Sequence, residues 1–127
     1  MWEHQRVTSA ELSRRYIDAH NAHDLDALVA LVADEIDFKR PDDALLTSRQ
    51  QVRERYATDW STHGQAHVSL MRLLEAGSTV IAEIEVDAGL PSNEWYRGVV
   101  IHDWNEDGLL VRYRLYVGDS ERPGAGD

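Results

Sequence analysis

The 127-residue chain contains no cysteine, which removes disulfides, thiolate metal sites and thiol nucleophiles from consideration and fits a reducing compartment. Positive charge is scarce as well: 13 Lys and Arg stand against 23 Asp and Glu, a formal net charge of -10. A chain of that sign repels a phosphate backbone, so nucleic acid is not an expected partner. Long hydrophobic runs are missing too. Stretches such as Val99-Val100-Ile101 are broken within a few residues, far short of the roughly 20 that span a bilayer. Met1-Trp2-Glu3-His4-Gln5-Arg6 has neither the basic start nor the apolar centre of a signal peptide, so a soluble, cytoplasmic protein with no membrane partner is the expectation. There is no internal repeat. With 43% hydrophobic residues, residues 1–127 are expected to form one domain, ordered over about 8–118 and mobile over 119–127.

What is present begins with helix signals. Thr8-Ser9-Ala10-Glu11 reads as a capping box, and Leu12, Tyr16 and Ala19 then share one face of a first helix. Asn21-Ala22-His23-Asp24 reads as a turn, with Asp24 capping a second helix whose Leu25, Leu28, Val29 and Val32 form a buried stripe. Ile36-Asp37-Phe38-Lys39-Arg40 alternates as a half-buried strand does, Pro41 ends it, and residues 41–47 read as a loop. Ser48 with Gln51 suggests a second capping box. Val52, Tyr56 and Trp60 recur every fourth residue along a third helix closed by Gly64.

From His67 onward the pattern is that of a four-strand meander, with turns at Ala76-Gly77-Ser78, at 88–93 and at Asn105-Glu106-Asp107-Gly108. Strand alternation separates two faces. One carries Val80, Ala82, Ile84 and Val86, then Tyr96, Gly98, Val100, His102 and Trp104, then Val111, Tyr113, Leu115 and Val117. The other carries Glu83, Glu85, Asp87, Arg97, Asp103, Arg112 and Arg114 among Trp95, Val99, Ile101 and Tyr116. The first, apolar set is assigned to a concave pocket side and the second to a convex side.

The order of helix, short helix, strand, helix and long strands, together with Arg15-Tyr16-Ile17-Asp18-Ala19 through Phe38, resembles the nuclear transport factor 2-like superfamily. That superfamily includes the SnoaL-like cyclases and the ketosteroid isomerases. The resemblance implies an α+β, cone-like barrel: a curved, mostly antiparallel sheet, three N-terminal helices on its concave face, and a homodimer through its convex face. It places Tyr16 where the isomerases carry their oxyanion-stabilising tyrosine. Their catalytic base corresponds to Arg40 before Pro41, and their second acid to Val100, so the isomerase mechanism is not expected; an arginine is no base at neutral pH. The limonene epoxide hydrolase resemblance requires an aspartate near Tyr113 that is not there. The aspartate of the SnoaL cyclases has its nearest counterpart in Asp103, which parity turns outward.

The expected pocket groups are therefore His102, Tyr16 and Arg40 as candidates for chemistry, with Tyr56, Trp60, Tyr96, Val100, Trp104 and Tyr113 as walls against a small apolar or aromatic ligand bearing oxygen functions. His102 alone titrates near neutrality. It reads either as a general acid/base or as a half-buried histidine bonded to a carbonyl, and the lack of a visible carboxylate partner tilts toward the second. Arg40 reads either as an anion clamp or as a surface partner of Asp42 or Asp43. Tyr56, Trp60 and Trp104 taken singly read as core. His20 with His23, and His63 with His67, read as solvated turn histidines, so no metal and no cofactor are expected. Two function classes stand: an isomerase, cyclase or dehydratase-type enzyme acting by proton transfer, or a non-catalytic ligand-binding or dimerisation module.

Overall fold

A computed structural model describes residues 7–62, 66–88 and 94–120. Its elements are α1 (Ser9–Asn21), α2 (Leu25–Val29), β1 (Val32–Lys39), β2 (Leu46–Ser48), α3 (Arg49–Thr62), β3 (His67–Ala76), β4 (Thr79–Asp87), β5 (Trp95–Trp104) and β6 (Leu110–Asp119). One open sheet of six strands runs β2-β1-β6-β5-β4-β3. The β1–β6 pairing is parallel and the others are antiparallel. The sheet curves around the helices on one side, the cone-like α+β arrangement.

Local chemistry starts each helix. Thr8 accepts the Glu11 amide at 3.1 Å, though the Glu11 carboxylate meets the Thr8 hydroxyl rather than its amide. Asp24 caps α2 by accepting from Ala27 at 3.1 Å, after His23 turns the chain with a φ of 52°. Asn21 ties the end of α1 to the edge strand β3, donating to Val68 O and accepting from Val68 N. It thereby supplies a backbone-like partner to a strand end.

Three sequence expectations shift. Val32 belongs to β1 rather than to the α2 stripe, because α2 is only one turn long. The stretch read as a loop holds β2, which pairs with β1 at Phe38↔Leu46 and Glu35↔Ser48. Val111 leaves the apolar face because a bulge moves the β5–β6 register between Asp103↔Arg112 and Trp104↔Leu110. Leu110 is fully buried in its stead. Gly64, most of the 88–93 turn and the tail beyond 120 lie outside the described residues. β6 itself reaches Asp119.

Val117, assigned to the same face, is 41% exposed; the rest of the assignment largely matches burial, with Val80, Ala82, Ile84, Val86, Val100, His102, Trp104, Tyr113 and Leu115 all buried. They pack with Leu12, Tyr16 and Ala19 of α1, with Phe38 of β1 and with Val52 and Tyr56 of α3 in one core. No described helix is long and apolar enough to cross a membrane.

Candidate functional site

Two cavities with shared walls lie between the helices and the sheet. The inner one, about 60 Å³, is bordered by Tyr16 of α1, by Val100 and His102 of β5 and by Tyr113 of β6. The outer one, about 400 Å³, adds Trp60, Asp59 and Arg55 of α3 with Asp43 and Glu94. His20, Arg40, Val86, Tyr96 and Leu115 line both, so they form a floor and a mouth of one pocket. A larger groove of about 780 Å³ lies at the other end, between the start of α1 and the β3–β4 and β5–β6 turns. None of the expected chemical groups except Trp104 borders it.

The floor is a cluster of buried rings. Tyr16 and His102 stand edge to face at 5.2 Å, His102 and Tyr113 lie 5.5 Å apart, and Phe38 stacks on Tyr113 at 4.2 Å. The Tyr16 and Tyr56 hydroxyls share a 2.7 Å hydrogen bond. Burial pushes the phenols of Tyr16, Tyr56 and Tyr113 well above their ordinary pKa. They stay protonated and act as neutral donors. Burial also pushes His102 down to about 3, so its ring is neutral at pH 7. His102 Nδ1 meets the Ser13 hydroxyl at 2.8 Å, and Trp104 Nε1 donates to the same oxygen at 3.0 Å. His102 Nε2 is buried and has no protein partner.

The mouth holds a closed ring of ion pairs. Arg40 Nε meets Asp43 at 2.9 Å and Arg40 Nη1 meets Asp59 at 2.8 Å, while Arg55 reaches the same two carboxylates at 2.7 and 3.2 Å. Arg40 therefore pairs with Asp43, one of the partners expected for it, and with Asp59, and it also lines the pocket. Burial opposes its charge, but its partner the Asp59 carboxylate, by charge and hydrogen bond, helps to hold it above its ordinary pKa. The side chain also lies over Phe38 and Tyr56, at 5.9 and 5.8 Å from the ring centres.

Of the residues expected from the sequence, the inner cavity brings together Tyr16, Arg40, Tyr96, Val100, His102 and Tyr113. Trp60 lines the mouth. Tyr56 stands behind Tyr16, and Trp104 stands behind His102, where it bonds Ser13 and borders the remote groove instead. His20 is no solvated turn residue: it packs against Tyr56 and Trp60 at 5.8 Å each, and burial lowers its pKa to about 4. His63 lies outside the described residues, and no group able to hold a metal appears among those described.

Sequence reasoning missed Ser13, Arg55, Asp59 and His20 as parts of the site. For Ser13 the available signal was its position one turn before Tyr16 and Ile17 on the helix's inward side, where a small polar residue needs a buried partner. Asp59 and Arg55 sit four apart on α3, a spacing that marks a pair but not the β1 partners that close the ring.

Comparison with known proteins agrees with the fold. A family model described as SnoaL-like domain matches residues 13–113. No curated protein matches the chain by sequence. Among solved structures, a candidate ketosteroid isomerase of Kribbella flavida superposes with a TM-score of 0.76 at 22% identity, over 93% of this chain and 83% of that one. The Mycobacterium tuberculosis protein Rv0760c in complex with estradiol-17β-hemisuccinate gives 0.75 at 18% identity, over 85% and 92%. An epoxide hydrolase of the limonene type from M. tuberculosis gives 0.74 at 13%, over 87% and 82%. At such identities the likeness is one of fold, whereas the family model spans most of the chain: this protein belongs to the SnoaL-like domain family, within the nuclear transport factor 2-like superfamily.

Proposed function

We propose that this chain is a small-molecule pocket protein that takes a flat, largely apolar ligand bearing an oxygen function, and that it binds this ligand rather than turning it over by proton transfer. The carrying observation is the chemical make-up of the floor. Apolar and aromatic walls surround neutral donors, and no carboxylate lines the inner cavity among the described residues. A proton shuttle works best with a pKa near the operating pH; His102, at about 3 with a hydroxyl as its partner, is far from that. The mouth adds two arginines and the carboxylates Asp42, Asp43, Asp59 and Glu94. Arg40, which lines both cavities, is the contact for a polar substituent left at the entrance. The bound steroid ester of Rv0760c supports a ligand of this shape. A second copy of the chain is the proposed protein partner.

The enzyme reading rests on one specific observation, the Tyr16 phenol held by Tyr56 beside His102. Such donors stabilise a developing oxyanion. One experiment separates the two readings. A neutral steroid ketone is titrated against tryptophan fluorescence, and the complex is then held in D2O while exchange at the carbons beside the ketone is followed. Binding predicts a saturable signal, weakened in Trp60→Phe, with exchange at the uncatalysed rate. Fast exchange abolished by Tyr16→Phe establishes the enzyme, and a signal that never saturates removes the pocket reading.

A further inference from the structure

The least explained group in the pocket is the imidazole of His102. The residue is 1% exposed and lines the inner cavity. Its Nδ1 edge is turned to Ser13, which is itself fully buried and does not line that cavity. The opposite edge, carrying Nε2, has no protein partner.

The hydrogen-bond inventory decides which nitrogen carries the proton. Indole N–H is a donor only, so Trp104 Nε1 uses one acceptor position of Ser13 Oγ at 3.0 Å. Ser13 then has one hydroxyl proton to place, and His102 Nδ1 at 2.8 Å is the acceptor that the structure offers it. With the proton on Nε2, each of Trp104 N–H, Ser13 O–H and His102 Nδ1 is satisfied. With the proton on Nδ1, the buried Ser13 hydroxyl has no acceptor and Nε2 becomes a bare lone pair, so two buried groups go unpaired instead of one. Leaving a buried polar group unmade is the costly outcome.

We propose that Ser13, oriented by Trp104, fixes His102 as its Nε2–H tautomer, so that the pocket floor is a donor selecting a neutral carbonyl-type oxygen on the ligand. Ser13 and Trp104 are positioning residues, and His102 is the ligand contact. The ligand assignment rests on the pocket reading above, whereas the tautomer assignment stands without it. A carbonyl oxygen accepts without donating, which suits a floor whose nearby hydroxyls are already donors and whose lining carries no carboxylate. The indole N–H of Trp60, buried and without a protein partner, offers a second donor on a residue of the mouth. A ligand with two acceptor oxygens matches both.

The test is long-range nitrogen–proton correlation NMR of the His102 ring in the full chain at pH 7. The expected result is a proton-bearing, pyrrole-like shift on Nε2 and a pyridine-like shift on Nδ1. The reverse assignment overturns the proposal without any variant. In Ser13→Ala the single tautomer is lost, and Ser13→Thr, which restores the hydroxyl, restores it. Cyclohexanone and cyclohexane are then added separately. Cyclohexanone is expected to move the Nε2–H resonance and to bind Ser13→Ala roughly tenfold more weakly than the unaltered protein; cyclohexane enters without moving that resonance. If cyclohexane enters while cyclohexanone leaves Nε2–H unmoved, the carbonyl assignment fails and the pocket stands. If neither enters, the pocket reading itself fails, and the ligand assignment with it.

Discussion

A single buried imidazole links stability to chemistry in this protein. His102 stays neutral down to about pH 3 when folded, while the unfolded chain takes up a proton near 6.5. Between those values the unfolded state binds more protons, so the contribution is fully present above about 6.5 and is lost as the pH falls. From pH 7 to pH 5 that amounts to about 2 kcal/mol. Urea midpoints at the two pH values check it: the loss is expected in the unaltered protein and is smaller in His102→Gln. His20, lowered to about 4, keeps a residual slope of the same sign. An equal loss in both proteins contradicts the assignment. The same scale governs catalysis. Arg40 and Val100, which the sequence resemblance sets against the isomerase acids, both line the inner cavity. No appreciable conversion of a 5-ene-3-ketosteroid is expected, and a rapid rise in conjugated-enone absorbance that Tyr16→Phe abolishes contradicts this.

Elements position those residues, and the β5–β6 ladder is the most demanding of them. Gly98 sits where β6 bulges, between Arg97↔Asp119 and Gly98↔Val117. A Cβ at Gly98 comes to 2.3 Å from Tyr116 O, whereas one at Gly118 meets Arg97 O at an ordinary 3.7 Å. Gly98→Ala is therefore expected to cost about 3 kcal/mol through forced backbone movement, and Gly118→Ala less than about 1 kcal/mol. Equal effects in urea unfolding contradict the bulge as described. This ladder also shows what the sequence could carry. Two-residue alternation found the buried faces of β4 and β5, because the pairing from Thr79↔Asp103 to Asp87↔Trp95 runs without a break. It misplaced Val111 because a bulge adds a residue that no periodicity signals. β2 was hidden because three residues are too few for alternation to be recognised. The pocket's aromatic side was legible for the same reason as the faces. Ser13 was not, since its partners lie 89 and 91 residues away in the chain.

At the scale of the whole molecule, one face of the sheet is covered by helices and the other is open. There Leu74, Ile81 and Ile101 line up across β3, β4 and β5, and Val99 neighbours Tyr116 across β5 and β6. Leu74 and Tyr116 are each more than half exposed, among pairs such as Arg97–Glu85 at 2.6 Å and Arg114–Asp37 at 2.7 Å. Apolar residues placed this way favour self-association. Sedimentation at micromolar concentration is expected to give a dimer, and Ile81→Lys with Tyr116→Lys a monomer; a monomer without those changes contradicts the proposal. The pocket stands on the other face, and the most direct test of it is a crystal structure with a bound neutral steroid ketone. The account predicts the ketone oxygen within hydrogen-bond reach of His102 Nε2, with the rings along Val86, Tyr96 and Leu115. A ligand seated instead in the groove between Thr8, Glu75 and Gly108, or one in the pocket with its oxygen turned out to the mouth, contradicts it.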